Sequence, residues 1–135
     1  MAATTVACIL VAGAVRAVLP SDAFSVAWTH SVQRSQWEER YRVLTGGLVL
    51  EEARVEGSGA GMEAGTDAVL RDGWWTWTPR QNLRSITLTV SSYAGDYRIC
   101  TAARCTALRE LVGPTPEGTA VKITSCAPGA SAPER

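Results

Sequence analysis

The segment Phe24–Val43 reads FSVAWTHSVQRSQWEERYRV, and its period is two. Phe24, Val26, Trp28 and His30 alternate with Ser25, Ala27, Thr29 and Ser31. Trp37, Glu39, Tyr41 and Val43 then alternate with Glu38, Arg40 and Arg42. Successive side chains of a strand point to opposite faces, so this is the pattern of two half-buried strands. Joined as a hairpin with residues 31–36 as the loop, they set His30 opposite Trp37, Trp28 opposite Glu39, Val26 opposite Tyr41 and Phe24 opposite Val43. Every opposed pair then lies on the apolar face, and a slip of one residue scrambles the set.

That hairpin carries the main chemical expectation. His30, the one histidine of the chain, and Glu39 share a face that is otherwise Phe, Val, Trp and Tyr. They are diagonal neighbours within reach of one another. A carboxylate on an apolar face must be paired, neutral or functional, because a lone buried charge is costly. Two readings follow: a structural His30–Glu39 hydrogen bond at the edge of a core or the mouth of a barrel, or a ligand- or proton-handling pair.

Outward from the hairpin, the rest of the chain reads as strands and turns. Residues 5–19 form two short strands separated by Gly13, and LVLEEARVE follows the turn Thr45-Gly46-Gly47. Gly57-Ser58-Gly59-Ala60-Gly61 breaks any regular element. Asp72-Gly73 between Val69-Leu70-Arg71 and Trp74–Thr78 is a two-residue hairpin signal. Ile86, Leu88 and Val90 alternate with threonines, Ala94-Gly95-Asp96 turns the chain into YRIC, and Val121 and Ile123 mark a last strand. TALRELVG is the one helical candidate. The expected fold is all-β: a small antiparallel β-sandwich or partly open β-barrel of eight to ten short strands with little helix. It is read as a single all-β domain over residues 1–126, with a small, polar, disordered tail over 127–135.

Composition narrows the function classes. The chain has 135 residues, 46% of them hydrophobic and 19% charged, which suits one folded domain. Thirteen basic residues balance thirteen acidic ones, so the electrostatic footprint of a nucleic-acid or anionic-membrane binder is missing. Lys122 is the one lysine, an Arg bias that a GC-rich coding sequence explains. The apolar run Val6–Val15 is far shorter than the ~20 residues of a spanning helix, and MAATT supplies no basic region for a signal peptide. It reads as a strand, so no transmembrane segment is expected; the alternative is a late start site that has lost an export signal.

Cys100 and Cys105 span a hairpin whose strands, about 5 Å apart, bring the sulfurs within bonding distance. Cys8 and Cys126 meet if the terminal strands pair. Reduced, buried thiols are the alternative to both. An even cysteine count suits an oxidising compartment, and an extracytoplasmic location is expected although no convincing signal peptide is present. One His and scattered cysteines do not make a zinc set, so no metal and no cofactor is expected. Ser31 beside His30 points to the opposite face, and there is no Gly-x-Ser-x-Gly elbow, so a serine hydrolase is disfavoured. An enzyme using Glu39 as base and His30 as acid is the one catalytic reading, and it is not preferred. In Trp74-Trp75-Thr76-Trp77, Trp75 and Trp77 share one face and Trp74 the other: a core face, or a surface that stacks on a partner.

Thr29-His30-Ser31-Val32, Glu39-x-Tyr41 and Gly59-Ala60-Gly61-Met62, in that order, resemble a small bacterial family known as domain of unknown function 1850, over roughly residues 24–110. Asp72–Trp75 and the Cys100/Cys105 hairpin match features that recur in its actinobacterial-looking members. The family has no established activity. The resemblance implies genes lying beside those of TAXI-type TRAP transporters. The function it implies is a non-enzymatic accessory role, acting on the TRAP permease, its solute-binding protein or the small-molecule solute. His30, Ser31, Glu39, Tyr41, Gly59, Gly61 and Trp75 are then the binding residues. Members often carry an N-terminal hydrophobic export or anchor segment, which the strand-like start of this chain departs from. The alternative function is a stand-alone small-molecule-binding β-barrel with the His30–Glu39 pair as its polar anchor.

Overall fold

The computed structural model describes residues 5–29, 35–57, 67–91 and 96–127. The chain begins with β1 (Val6–Val11), β2 (Ala14–Leu19), β3 (Ala23–Thr29), β4 (Gln36–Leu44) and β5 (Gly47–Glu56). The short strands β6 (Val69–Arg71), β7 (Trp74–Trp77), β8 (Gln81–Leu83) and β9 (Ser85–Thr89) follow. β10 (Arg98–Cys100), β11 (Cys105–Ala107), the single turn-and-a-half α1 (Leu108–Val112) and β12 (Ala120–Cys126) complete it. One antiparallel sheet has the order β2-β1-β12-β9 and the other β11-β10-β3-β4-β5-β7-β6, with β8 pairing β5. The described strands do not close into a barrel, so of the two expected architectures the sandwich is the one adopted. The strand count exceeds eight to ten because β8 and β11, three residues each, are too short to show a period.

The core lies between the sheets. Ala7, Ile9, Leu88, Val121 and Ile123 face Phe24, Val26, Tyr41, Val43, Leu48 and Leu50 in one buried cluster. Two bulges keep these faces aligned. In β5, Arg40 pairs with Glu52 but Tyr41 with Leu50, leaving Glu51 as the extra residue. That insertion explains why LVLEEARVE breaks its alternation: Leu48 and Leu50 point inward before the bulge, Ala53 and Val55 after it. In β2 the extra residue is Arg16, between Ala17 opposite Ile9 and Val15 opposite Leu10. Its guanidinium donates to the Val112 carbonyl and so ties β2 to the end of α1. Ala107 at the other end of α1 gives no side-chain cap; Asp96, before β10, accepts from the Arg109 N–H at 3.1 Å instead.

Cys8 and Cys126 are bonded across β1 and β12, and Cys100 and Cys105 across β10 and β11. Thr101 N–H donates to the Arg104 carbonyl, which makes the opposed Cys100–Cys105 pair the close, non-hydrogen-bonded kind, with a Cα separation of 4.0 Å. The thiols are therefore not free, and the reduced alternative does not describe this fold.

The decisive hairpin forms with a different register. Phe24 lies opposite Tyr41, Val26 opposite Glu39 and Trp28 opposite Trp37, an offset of two residues from the expected pairing. A shift of two leaves every side chain on its own face, so hydrophobic alternation cannot tell the two registers apart. Cross-strand aromatic pairing can: Phe24 stacks on Tyr41 at 5.2 Å between ring centres and Trp28 on Trp37 at 5.9 Å. The outer face of the same sheet is ionic. Arg54 Nε donates to Glu38 at 2.6 Å, Arg42 Nε to Glu51 at 2.8 Å, and Arg40 approaches Glu52 at 3.5 Å. The Arg54 guanidinium also lies 4.2 Å from the centre of the Trp74 ring.

Candidate binding face

Register alone assembles the candidate site. Across five neighbouring strands, Leu70 opposes Trp75, Trp75 opposes Val55, Val55 opposes Trp37 and Trp37 opposes Trp28. The next row on the same face runs Trp77, Ala53, Glu39, Val26 and Ile99. Val26 and Ile99 belong to the core cluster, whereas Leu70, Trp75, Val55 and Trp37 do not. The inner face of the larger sheet thus continues past the core as an aromatic row. Its tryptophans are half-buried, and Leu70 at the edge is 51% exposed. Tyr97, two residues before Ile99, tilts against Trp28 at 5.7 Å. The indole N–H groups of Trp37 and Trp75 are enclosed and find no acceptor among the described residues. Buried donors of that kind are uncommon in folded proteins.

Glu39 sits beside this row. Its Oε1 accepts from the Tyr41 hydroxyl at 2.6 Å, a short charge-assisted bond. The half-buried carboxylate is therefore paired, and by a phenol of its own strand two residues on. Burial first, then the hydrogen bond and the negative charge of Glu39, push the Tyr41 phenol far above its ordinary value. Burial and the same carboxylate raise Tyr97 as well. The folded state holds these protons where the unfolded chain releases them. Stability accordingly falls as pH rises past the usual phenol value of about 10. Tyr41→Phe is expected to lower stability at neutral pH by about 1–3 kcal/mol, because Glu39 loses its donor. The same variant should show a shallower alkaline decline, read from urea midpoints between pH 9 and 11.5 or so. A wild-type slope above pH 10 in the variant would remove Tyr41 from the alkaline response.

Of the residues singled out in the sequence, Glu39, Tyr41 and Trp75 come together on one face, with Trp75 two strands away from Glu39. His30, Ser31, Gly59 and Gly61 lie outside the described residues, and with them the His30–Glu39 pair. Trp28, Trp37, Leu70 and Tyr97 were not singled out. The cue was present in the sequence for Trp28 and Trp37, which fall on the apolar phase of β3 and β4, but only the correct register lines them up with Leu70 and Tyr97. The split of Trp75 and Trp77 from Trp74 is as expected, since Trp74 stands on the ionic face under Arg54.

A disulfide-bonded, two-sheet antiparallel sandwich whose larger sheet extends into an aromatic row beside a hydrogen-bonded carboxylate is the class these features define. The chain belongs to the family described as Domain of unknown function (DUF1850), whose model matches residues 24–108. That span covers β3 to the first residue of α1, and so the whole aromatic row. No curated protein and no solved structure matches the chain. No helix among the described residues is long and apolar enough to cross a membrane.

Proposed function

We propose that this protein is a non-enzymatic binding protein that serves a TAXI-type TRAP solute-uptake system, contacting the permease, its solute-binding protein or the solute through the aromatic row. The observation that carries the binding role is the half-buried aromatic row itself, which runs from Trp28 through Trp37, Val55 and Trp75 to the exposed Leu70. Such a surface offers stacking area to an apolar or ring-bearing occupant. The uptake system itself is supplied by the family resemblance, through the genes that adjoin those of its members.

Affinity purification of the tagged protein from solubilised host membranes, with mass spectrometry of the co-purifying chains, tests the proposal. The expected result is recovery of a TRAP permease or its solute-binding protein, reduced at least severalfold by Trp75→Ala with the circular dichroism spectrum unchanged. Recovery of the protein alone from an intact uptake complex overturns the accessory role. The remaining reading is then a small-molecule binder independent of any transporter, housed in a sandwich instead of a barrel. Extraction of the purified protein for a bound ligand addresses it.

A further inference from the structure

A further cavity adjoins the core cluster at Ile99 and Leu19. It measures about 290 Å³ and opens where β2, at the edge of one sheet, faces β10 and β11, at the edge of the other. That volume is near the lower end of the roughly 300–1,000 Å³ range of small-molecule sites. Val18, Leu19, Ile99 and Leu111 form apolar walls, Arg104 and Thr106 bring polar groups, and no acidic side chain among the described residues lines it. Arg104 Nε donates to the Thr106 hydroxyl at 3.3 Å, which turns the guanidinium toward the cavity and leaves its terminal nitrogens available. Arg40, Arg42, Arg54 and Arg109 each have a carboxylate partner, whereas Arg104, like Arg71, Arg80, Arg84 and Arg98, has none among the described residues, and of these it is Arg104 that lines the cavity. The Cys100–Cys105 disulfide and the Thr101–Arg104 backbone bond hold the turn that presents this exposed side chain, so the backbone needs little ordering by a ligand.

We propose that this cavity binds a short-chain aliphatic monocarboxylate, with its tail between Val18, Leu19, Ile99 and Leu111 and its carboxylate on the Arg104 guanidinium. The sign of the one charge selects an anion, and the planar fork of arginine suits a carboxylate held by two parallel bonds. The apolar walls select an organic tail over an inorganic ion. The site shares no residue with the aromatic row, so each proposal stands or falls alone.

The test uses the full chain, labelled with nitrogen-15 and titrated separately with hexanoate, hexan-1-ol, hexylammonium and sulfate. Hexanoate is expected to shift the amides of Ile99, Thr106 and Leu111 saturably, and to bind about tenfold or more tighter than hexan-1-ol. Arg104→Gln should bring hexanoate down to the level of the alcohol, and Leu111→Trp, which fills the space, should abolish binding of both. Equal affinity for hexanoate and hexan-1-ol overturns the proposal. So does undiminished hexanoate binding by either variant, saturation by sulfate or hexylammonium alone, or no saturable shift at those residues.

Discussion

Replacing both Cys8 and Cys126 with alanine will lower the unfolding free energy by about 5 kcal/mol. The two cysteines are 118 residues apart, and cross-linking a loop of that length removes that much conformational freedom from the unfolded chain. The Cys100–Cys105 bridge closes only five residues, for which the same relation gives about 2 kcal/mol. Urea unfolding of the two double variants, with the wild type oxidised and reduced, measures both. Equal losses would show that the terminal strands stay associated in the unfolded state, and that loop length is not what the longer bridge acts through. A domain whose first and last strands are joined by this bond at the middle of the smaller sheet will be sensitive to reduction, in keeping with the oxidising compartment that the even cysteine count suggests.

Ile123→Ala is the second large effect, at about 2–5 kcal/mol. Ile123 is fully buried and stands between Ile9 and Ile86 across the smaller sheet, facing the core cluster. Cutting the side chain to a methyl group opens a void at the centre of the sandwich, which neither sheet can close without breaking its own ladder. Lys122→Ala, one residue back and exposed, should stay within about 0.5 kcal/mol of the wild type. Thermal and urea unfolding of the pair give the contrast. Similar losses for both would mean that β12 is held by strand propensity and not by its inward face.

How far the fold is legible in the sequence depends on the kind of information each element needs. The Asp72-Gly73 hairpin is local: both turn residues have positive φ, 52° and 85°, the conformation this dipeptide favours between paired strands. The faces of β3, β4 and β7 follow from alternation and are as read. Register is not local. Two pairings of β3 with β4 that differ by two residues bury the same side chains, and the choice rests on ring contacts between Phe24 and Tyr41 and between Trp28 and Trp37. The error moved Glu39 from beside Val26 to beside Trp28, and it hid the aromatic row. The Glu51 bulge has a trace in the broken period of LVLEEARVE, visible once the partner strand is known. Asp96 as the acceptor for α1 leaves no trace at all, because it reaches the helix from ahead of β10, a whole hairpin earlier in the chain. Arg104 likewise becomes distinctive only when the fold sets it on the wall of a cavity lined by no other charged side chain among the described residues.

The larger sheet is ionic on one side, where glutamates and arginines alternate between β4 and β5, and aromatic on the other. Such a sheet has a right way up. Inverting it against any neighbour would strip water from a lattice of charges while leaving indoles in solvent, and both changes are unfavourable. Orientation at a contact is thus decided before any particular residue is recognised. Whatever approaches this sheet from a less watery environment meets the tryptophans, and the charged side stays turned toward water.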